Sequence, residues 1–168
     1  PAQSPAQACG PDQALPKSRK GLVEHEQHKV RGRFKEALHT LKAARRYGKR
    51  SERWRNELPW HLVMGASASG KTCLLQAGGM QLPLDRTDCG APHTAGAIPH
   101  SEWYFADEGV LIDTPARYLT HADSEVDGGG WATLLTLLKA RRRARPLSGV
   151  LLTLSVDTLL NGSEQDLS

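Results

Sequence analysis

Apolar residues first recur along the chain at helical spacing. Between Gly21 and Gly48, the residues Val23, Val30, Phe34, Leu38, Leu41 and Ala44 fall at steps of three, four or seven, the spacing of one helix face. The remaining positions carry Lys29, Arg31, Lys35, Lys42, Arg45 and Arg46, so the pattern predicts a basic amphipathic helix. After Pro59 the pattern changes to short apolar runs separated by turns and helical stretches, which predicts α/β architecture. Residues 60–64 read as a buried strand, 71–77 as a helix closed by Gly78 and Gly79, and 103–105 as a second strand. Asp107, Glu108 and Gly109 supply a turn and 110–112 the returning strand, so residues 103–113 read as a hairpin whose second arm can pair with the first strand. Asp127 or a following glycine opens a helix carrying Trp131, Leu134, Leu135, Leu137 and Leu138, with residues 139–143 in its last turns and Pro146 ending it. The apolar run from Gly149 to Val156 reads as another central strand.

Composition narrows this picture. A chain of 168 residues, 39% hydrophobic and 24% charged, can bury one core of modest size but not two. From Pro1 to Pro16 it is rich in Pro, Ala, Gln and Gly and nearly free of bulky apolar residues, which predicts a flexible leader over residues 1–21. A basic helical linker over 22–56 and an α/β domain over 57–168, incomplete at its C-terminus, complete the expected organisation. The net charge of +4 conceals a division: residues 1–60 hold 14 basic and 6 acidic side chains, and the rest hold 8 and 12. A basic helix can serve an anionic membrane surface or nucleic acid, or it can pack its apolar face on the domain with its charges solvated. Sparse aromatic interleaving favours packing, and the acidic remainder disfavours nucleic acid. No apolar run approaches the roughly 20 residues of a membrane helix, and the start of the chain lacks the features of a signal peptide. Cys9, Cys73 and Cys89 form no CxxC pair, which suits a reducing compartment.

The chemistry concentrates in Gly65-Ala66-Ser67-Ala68-Ser69-Gly70-Lys71-Thr72, a complete GxxxxGK[ST] phosphate loop between an expected strand and an expected helix. Such a loop meets a triphosphate with successive backbone N–H groups at a helix start, and small residues let the backbone come close. Gly65 and Gly70 permit the curl, Lys71 reaches the β- and γ-phosphates, and the Thr72 hydroxyl ligates Mg²⁺. The run Val110-Leu111-Ile112-Asp113 places a carboxylate at a strand end about forty residues after the loop lysine, the order of small GTPase-like folds, where it supports magnesium through water. Thr114-Pro115-Ala116-Arg117-Tyr118 then flanks the γ-phosphate in a DxxG-like segment. Ala116 stands at the glycine position and hinders a backbone flip. Arg117 follows as a candidate transition-state residue, better at stabilising phosphoryl charge than at orienting water, which predicts slow hydrolysis. Thr87 and Thr94 are candidates for a second magnesium hydroxyl. His93, His100 and His121 fit no metal scheme, and Ser67 and Ser69 fit no hydrolase nucleophile.

Taken together, several segments resemble one family, TssM/IcmF. They are Leu58-Pro59-Trp60 ahead of the loop strand, GASASGKT, Leu82-Pro83-Leu84, Trp103-Tyr104-Phe105-Ala106-Asp107-Glu108, Leu111-Ile112-Asp113-Thr114 and Arg117-Tyr118. Trp131 with residues 134–138, and Pro146 with Gly149-Val150-Leu151-Leu152, extend the resemblance over roughly residues 54–160. It implies an inner-membrane protein of bacterial type VI secretion or the related Icm/Dot apparatus. The implied fold is a P-loop NTPase domain on the cytoplasmic face, between membrane segments outside this chain. The implied partners are a TssL-like inner-membrane protein, an outer-membrane lipoprotein and baseplate components. The family commonly has Thr-Ala-Gly-Arg-Tyr where this chain has Thr-Pro-Ala-Arg-Tyr, and a threonine where it has Ile98. Two functions follow as expectations: a domain that binds ATP or GTP with Mg²⁺, with possible slow NTPase activity, or a catalytically inactive scaffold of the secretion complex.

Overall fold

The computed structural model describes residues 18–43, 57–77, 100–106 and 109–161. They form helix α1 (Arg19–Ala43), strand β1 (Trp60–Gly65), α2 (Lys71–Ala77), β2 (Glu102–Ala106), β3 (Gly109–Asp113), α3 (Arg117–Thr120), α4 (Ser124–Arg141), β4 (Gly149–Thr153) and α5 (Val156–Asn161). Residues 1–17 of the expected 1–21 leader and residues 44–56 of the expected 22–56 linker lie outside the described residues. Among those described, no helix is long and apolar enough to cross a membrane.

The four strands make one mixed sheet in the order β2-β3-β1-β4. β2 and β3 form the expected antiparallel hairpin, with Trp103 opposite Ile112, and β3 pairs in parallel with β1, Val63 lying level with Asp113. β1 also pairs in parallel with β4, from His61 beside Gly149 to Gly65 beside Thr153. Strand alternation sorts the side chains onto two faces. Trp60, Leu62, Trp103, Val110 and Ile112 share one core with α1 and α4. Val63, Tyr104 and Leu75 of α2 form a smaller cluster on the opposite face, with Leu111 packed against it.

Helix α1 belongs to the larger core. Val30, Phe34, Ala37, Leu38 and Leu41 are buried on its apolar stripe, while Lys29, Arg31, Lys35 and Lys42 remain exposed, so its basic side is a solvated face. The Phe34 ring meets Trp103 edge-on at 5.4 Å between centroids, and Trp103 meets Trp60 likewise at 5.4 Å. Past the end of α4, the Arg142 guanidinium lies 4.9 Å from the Trp60 ring centroid and donates to the Leu58 carbonyl at 2.8 Å. This series ties α1, the hairpin, β1 and the α4 terminus together through contacts of aromatic and cation–π type.

One helix and one strand differ in their bounds from the sequence expectation. α4 starts at Ser124, one turn before the glycines, because Asp123 caps it: its carboxylate accepts from Val126 N at 3.2 Å, and Asp127 Oδ2 accepts from Asp123 N at 2.9 Å. Gly129 and Gly130 sit inside the helix for packing. A Cβ on Gly130 would lie 2.6 Å from the Tyr118 hydroxyl and 2.9 Å from Glu26 Cγ, and one on Gly129 would lie 3.0 Å from Val23 Cγ1. The strand expected over 149–156 is shorter, ending at Thr153, and Val156 opens α5. Among the described strands it is also an edge, not a centre. Its Val150 and Leu152 are each 58% exposed, and Leu151 on the other face is 42% exposed.

Phe34→Ala is expected to cost about 3–5 kcal/mol of stability, the range for removing a buried aromatic side chain, whereas Lys35→Ala on the solvated face should stay within about 0.5 kcal/mol. Chemical denaturation followed by fluorescence measures both, and equal small effects would mean that α1 is not part of the core.

Candidate functional site

β1 ends at Gly65, and the chain turns through residues 66–70 into α2 at Lys71. Ser69 N donates to the Ala66 carbonyl at 3.3 Å, and Leu74 N to the Gly70 carbonyl at 2.8 Å. The backbone enters the left-handed region twice, at Ala68 (φ 60°) and Gly70 (φ 81°). Glycine adopts that conformation freely, whereas alanine there carries a strain on the order of 1 kcal/mol. A strained non-glycine residue in a tight loop is a feature associated with functional sites.

Gly65 serves a purpose different from that of Gly70. A Cβ at Gly65 would lie 2.1 Å from Thr153 Oγ1, 2.6 Å from the Thr153 carbonyl oxygen and 2.7 Å from Ser69 Oγ. Glycine is needed there because the end of β4 comes so close, and Gly70 alone of the two supplies a positive φ. Thr153 then braces the loop: its hydroxyl donates to the Met64 carbonyl at 3.2 Å and lies 2.8 Å from the Ser69 hydroxyl.

Lys71 is buried, and its Nζ donates to the Gly65 carbonyl at 2.7 Å and to the Ala66 carbonyl at 2.9 Å. The loop therefore curls around its own lysine. Burial lowers the Lys71 pKa from its ordinary value, and the negative charge of Asp113 opposes that fall. Asp113 is fully buried at the end of β3. Because β1 and β3 are parallel, the 65–72 loop and the segment after Asp113 leave the sheet at the same edge. Thr114 fastens that segment to β1, its N–H and hydroxyl both donating to the Val63 carbonyl at 3.1 and 2.8 Å. Thr72 lies in the first turn of α2, but its side chain, like Thr87, Thr94, His93 and Ile98, lies outside the described residues.

Arg117 stands at the start of α3, four residues past Asp113. Its Nη1 donates to Asp127 Oδ1 at 2.6 Å and its Nη2 to Glu26 Oε1 at 2.7 Å, both carboxylates being buried. The Tyr118 hydroxyl donates to the same Glu26 oxygen, and the Arg117 guanidinium lies 5.0 Å from the Tyr118 ring centroid. Burial opposes the charge of Arg117, yet its bonds to Glu26 and Asp127 leave its pKa raised. The candidate transition-state residue thus faces two carboxylates of its own chain.

The structure brings Gly65, Ala66, Ser67, Ala68, Ser69, Gly70, Lys71 and Asp113 to one edge of the sheet and ties Arg117 to α1 and α4. Three participants escape the sequence reading. Glu26 had a signal: three residues after Val23 and four before Val30, it is a carboxylate on an apolar stripe. Asp127, in the first turn of a glycine-containing helix, reads as an ordinary helix-start acid. Thr153 carries no local signal, since only strand pairing places it behind Gly65.

Gly65→Ala is expected to destabilise the protein by about 1–3 kcal/mol, as overpacking does, because the nearest obstacle includes Thr153 backbone. Thermal denaturation checks this, and Thr153→Ala, which removes only the hydroxyl side of the clash, should rescue at most part of the loss.

The model of the IcmF-related N-terminal domain family matches residues 124–168. The type VI secretion system component TssM1 of Pseudomonas aeruginosa is 38% identical over 168 residues, an alignment that takes in 98% of this chain and 14% of the relative. The chain thus spans about one-seventh of the length of that relative. No solved structure matches the chain. An alignment that runs through the loop, the hairpin and α4 alike, together with the family match from α4 onward, establishes that this chain belongs to the TssM/IcmF family.

Proposed function

We propose that residues 65–72 bind the phosphates of ATP or GTP with Mg²⁺, in a P-loop NTPase-like domain that serves the membrane complex of a type VI secretion system. The observation that carries this reading is a buried lysine within a tight loop, beside a buried carboxylate on the neighbouring parallel strand. In open α/β sheets, ligands sit in the crevice outside the carboxyl ends of the strands, and this pair stands at that edge. Lys71 contacts phosphate by exchanging its bonds to the Gly65 and Ala66 carbonyls for phosphate oxygens. The donor set suits magnesium: Asp113 offers a hard carboxylate oxygen and Thr72 a hydroxyl, and Mg²⁺ is commonly held by one or two carboxylates, waters and substrate phosphates. The metal would neutralise charge on the phosphates and fix their orientation.

Arg117 can reach a transferring phosphoryl group only by leaving Glu26 and Asp127, so hydrolysis at this site is slow. The same engagement favours a second reading, a catalytically inactive scaffold whose surfaces mediate contacts within the secretion complex. In both readings the domain works at the cytoplasmic face of the bacterial inner membrane, anchored through segments outside this chain. Its partners are a TssL-like inner-membrane protein, an outer-membrane lipoprotein and baseplate components. Nucleic acid is not among them.

Titration calorimetry with ATP and GTP, with and without Mg²⁺, tests the reading. Lys71→Ala should weaken binding by about 10-fold or more, the value of a charge-assisted hydrogen bond. Asp113→Asn should remove most of the gain that Mg²⁺ gives. Failure of folded wild-type protein to bind either nucleotide would leave the scaffold reading alone.

A further inference from the structure

Arg117 sits where two parts of the molecule meet. Through Asp113 and Thr114 it is joined to the sheet edge that carries the 65–72 loop, and Thr114 is tied to β1 by two hydrogen bonds to Val63. Through its guanidinium it is joined to Glu26 of α1 and Asp127 of α4. Tyr118, the next residue, adds a second bond to Glu26, and the absence of a side chain at Gly130 lets these groups come together. Glu26 and Asp127 are 6% and 3% exposed, so both carboxylates depend on the guanidinium for charge compensation. If Arg117 left, Glu26 would be a buried charge holding α1 against α4, and the helix would have to loosen to let water reach it.

A triphosphate is the kind of ligand that competes for an arginine, because its oxygens accept the same paired, charge-assisted bonds as carboxylates. We propose that Arg117 is a latch shared by α1 and the 65–72 loop: a magnesium nucleoside triphosphate bound at the loop draws the guanidinium from Glu26 and Asp127, and α1 loosens from α4. This inference rests on the nucleotide-binding reading above. It makes Arg117 a positioning residue for α1 in the free protein. Linkage requires the reverse effect as well: weakening the latch from the α1 side must tighten nucleotide binding by the same factor.

Hydrogen–deuterium exchange on the wild-type protein, with Mg²⁺ and either a slowly hydrolysed triphosphate analogue or the diphosphate, reads the latch directly. Exchange over residues 22–37 should rise by about 5-fold or more with the triphosphate analogue and stay unchanged with the diphosphate. Glu26→Gln keeps the size of the side chain and removes its charge, and should tighten triphosphate binding by about 5-fold or more. If Glu26→Gln does not fold, the wild-type exchange decides alone. Protection of residues 65–75 by nucleotide with no change in α1 exchange would overturn the latch and leave nucleotide binding intact. No binding by folded wild-type protein would overturn both.

Discussion

The carboxylate of Glu26 is buried between two helices and accepts hydrogen bonds from Arg117 and Tyr118. Burial of a charge is tolerable only when it is paired and hydrogen-bonded, so this one interaction constrains much of what surrounds it. It requires a cation, which Arg117 provides, and the guanidinium in turn requires Asp127 on α4 for its other edge. It requires a close approach of α1 to α4, which Gly129 and Gly130 permit. Further along α1, Phe34 meets Trp103 edge-on and the apolar stripe joins the larger core.

The two faces of the sheet divide the work. On the α1 and α4 face, Phe34, Trp103 and Trp60 meet in perpendicular ring contacts that combine apolar burial with favourable edge-to-face electrostatics. The C-terminal edge of the parallel strands carries the polar chemistry, where Lys71 and Asp113 lie within each other's electrostatic influence. The 65–72 loop is held by Lys71 bonding to its backbone carbonyls and by Thr153, and it carries two left-handed residues, one of them the strained Ala68. Strain of that kind persists only where surrounding contacts over-determine it. Here the contacts come from β1, β4 and the loop itself.

Arg117 connects the two regions, and this changes how its neighbourhood is understood. In sequence it follows a DxxG-like segment and reads as a group aimed at phosphate. In the fold its guanidinium bonds to Glu26 of α1 and Asp127 of α4, so one side chain joins the segment after Asp113 to both helices.

Local chemistry was legible along the chain. The period of α1, the strand–loop–helix around Lys71, the pairing of β2 with β3 as a hairpin, and the apolar strand ending in Asp113 all follow from spacing and turn residues, which act over a few positions. So did the family, because segments such as LPW and WYFADE are specific in composition and order. What spacing could not reveal depends on residues far apart in sequence. α4 begins before its glycines because Asp123 caps it, and Gly129 and Gly130 are accommodated inside it because they face α1, about a hundred positions earlier. Gly65 is a glycine because Thr153 lies behind it, and β4 is an edge among the described strands although its composition reads as interior. Arg117 turns toward carboxylates because Glu26 and Asp127 arrive from two helices. The sequence by itself determined which local elements form and what chemistry they can offer. Only the tertiary structure decided which charges face one another, since buried charges choose partners by proximity in space and by the cost of being left without one.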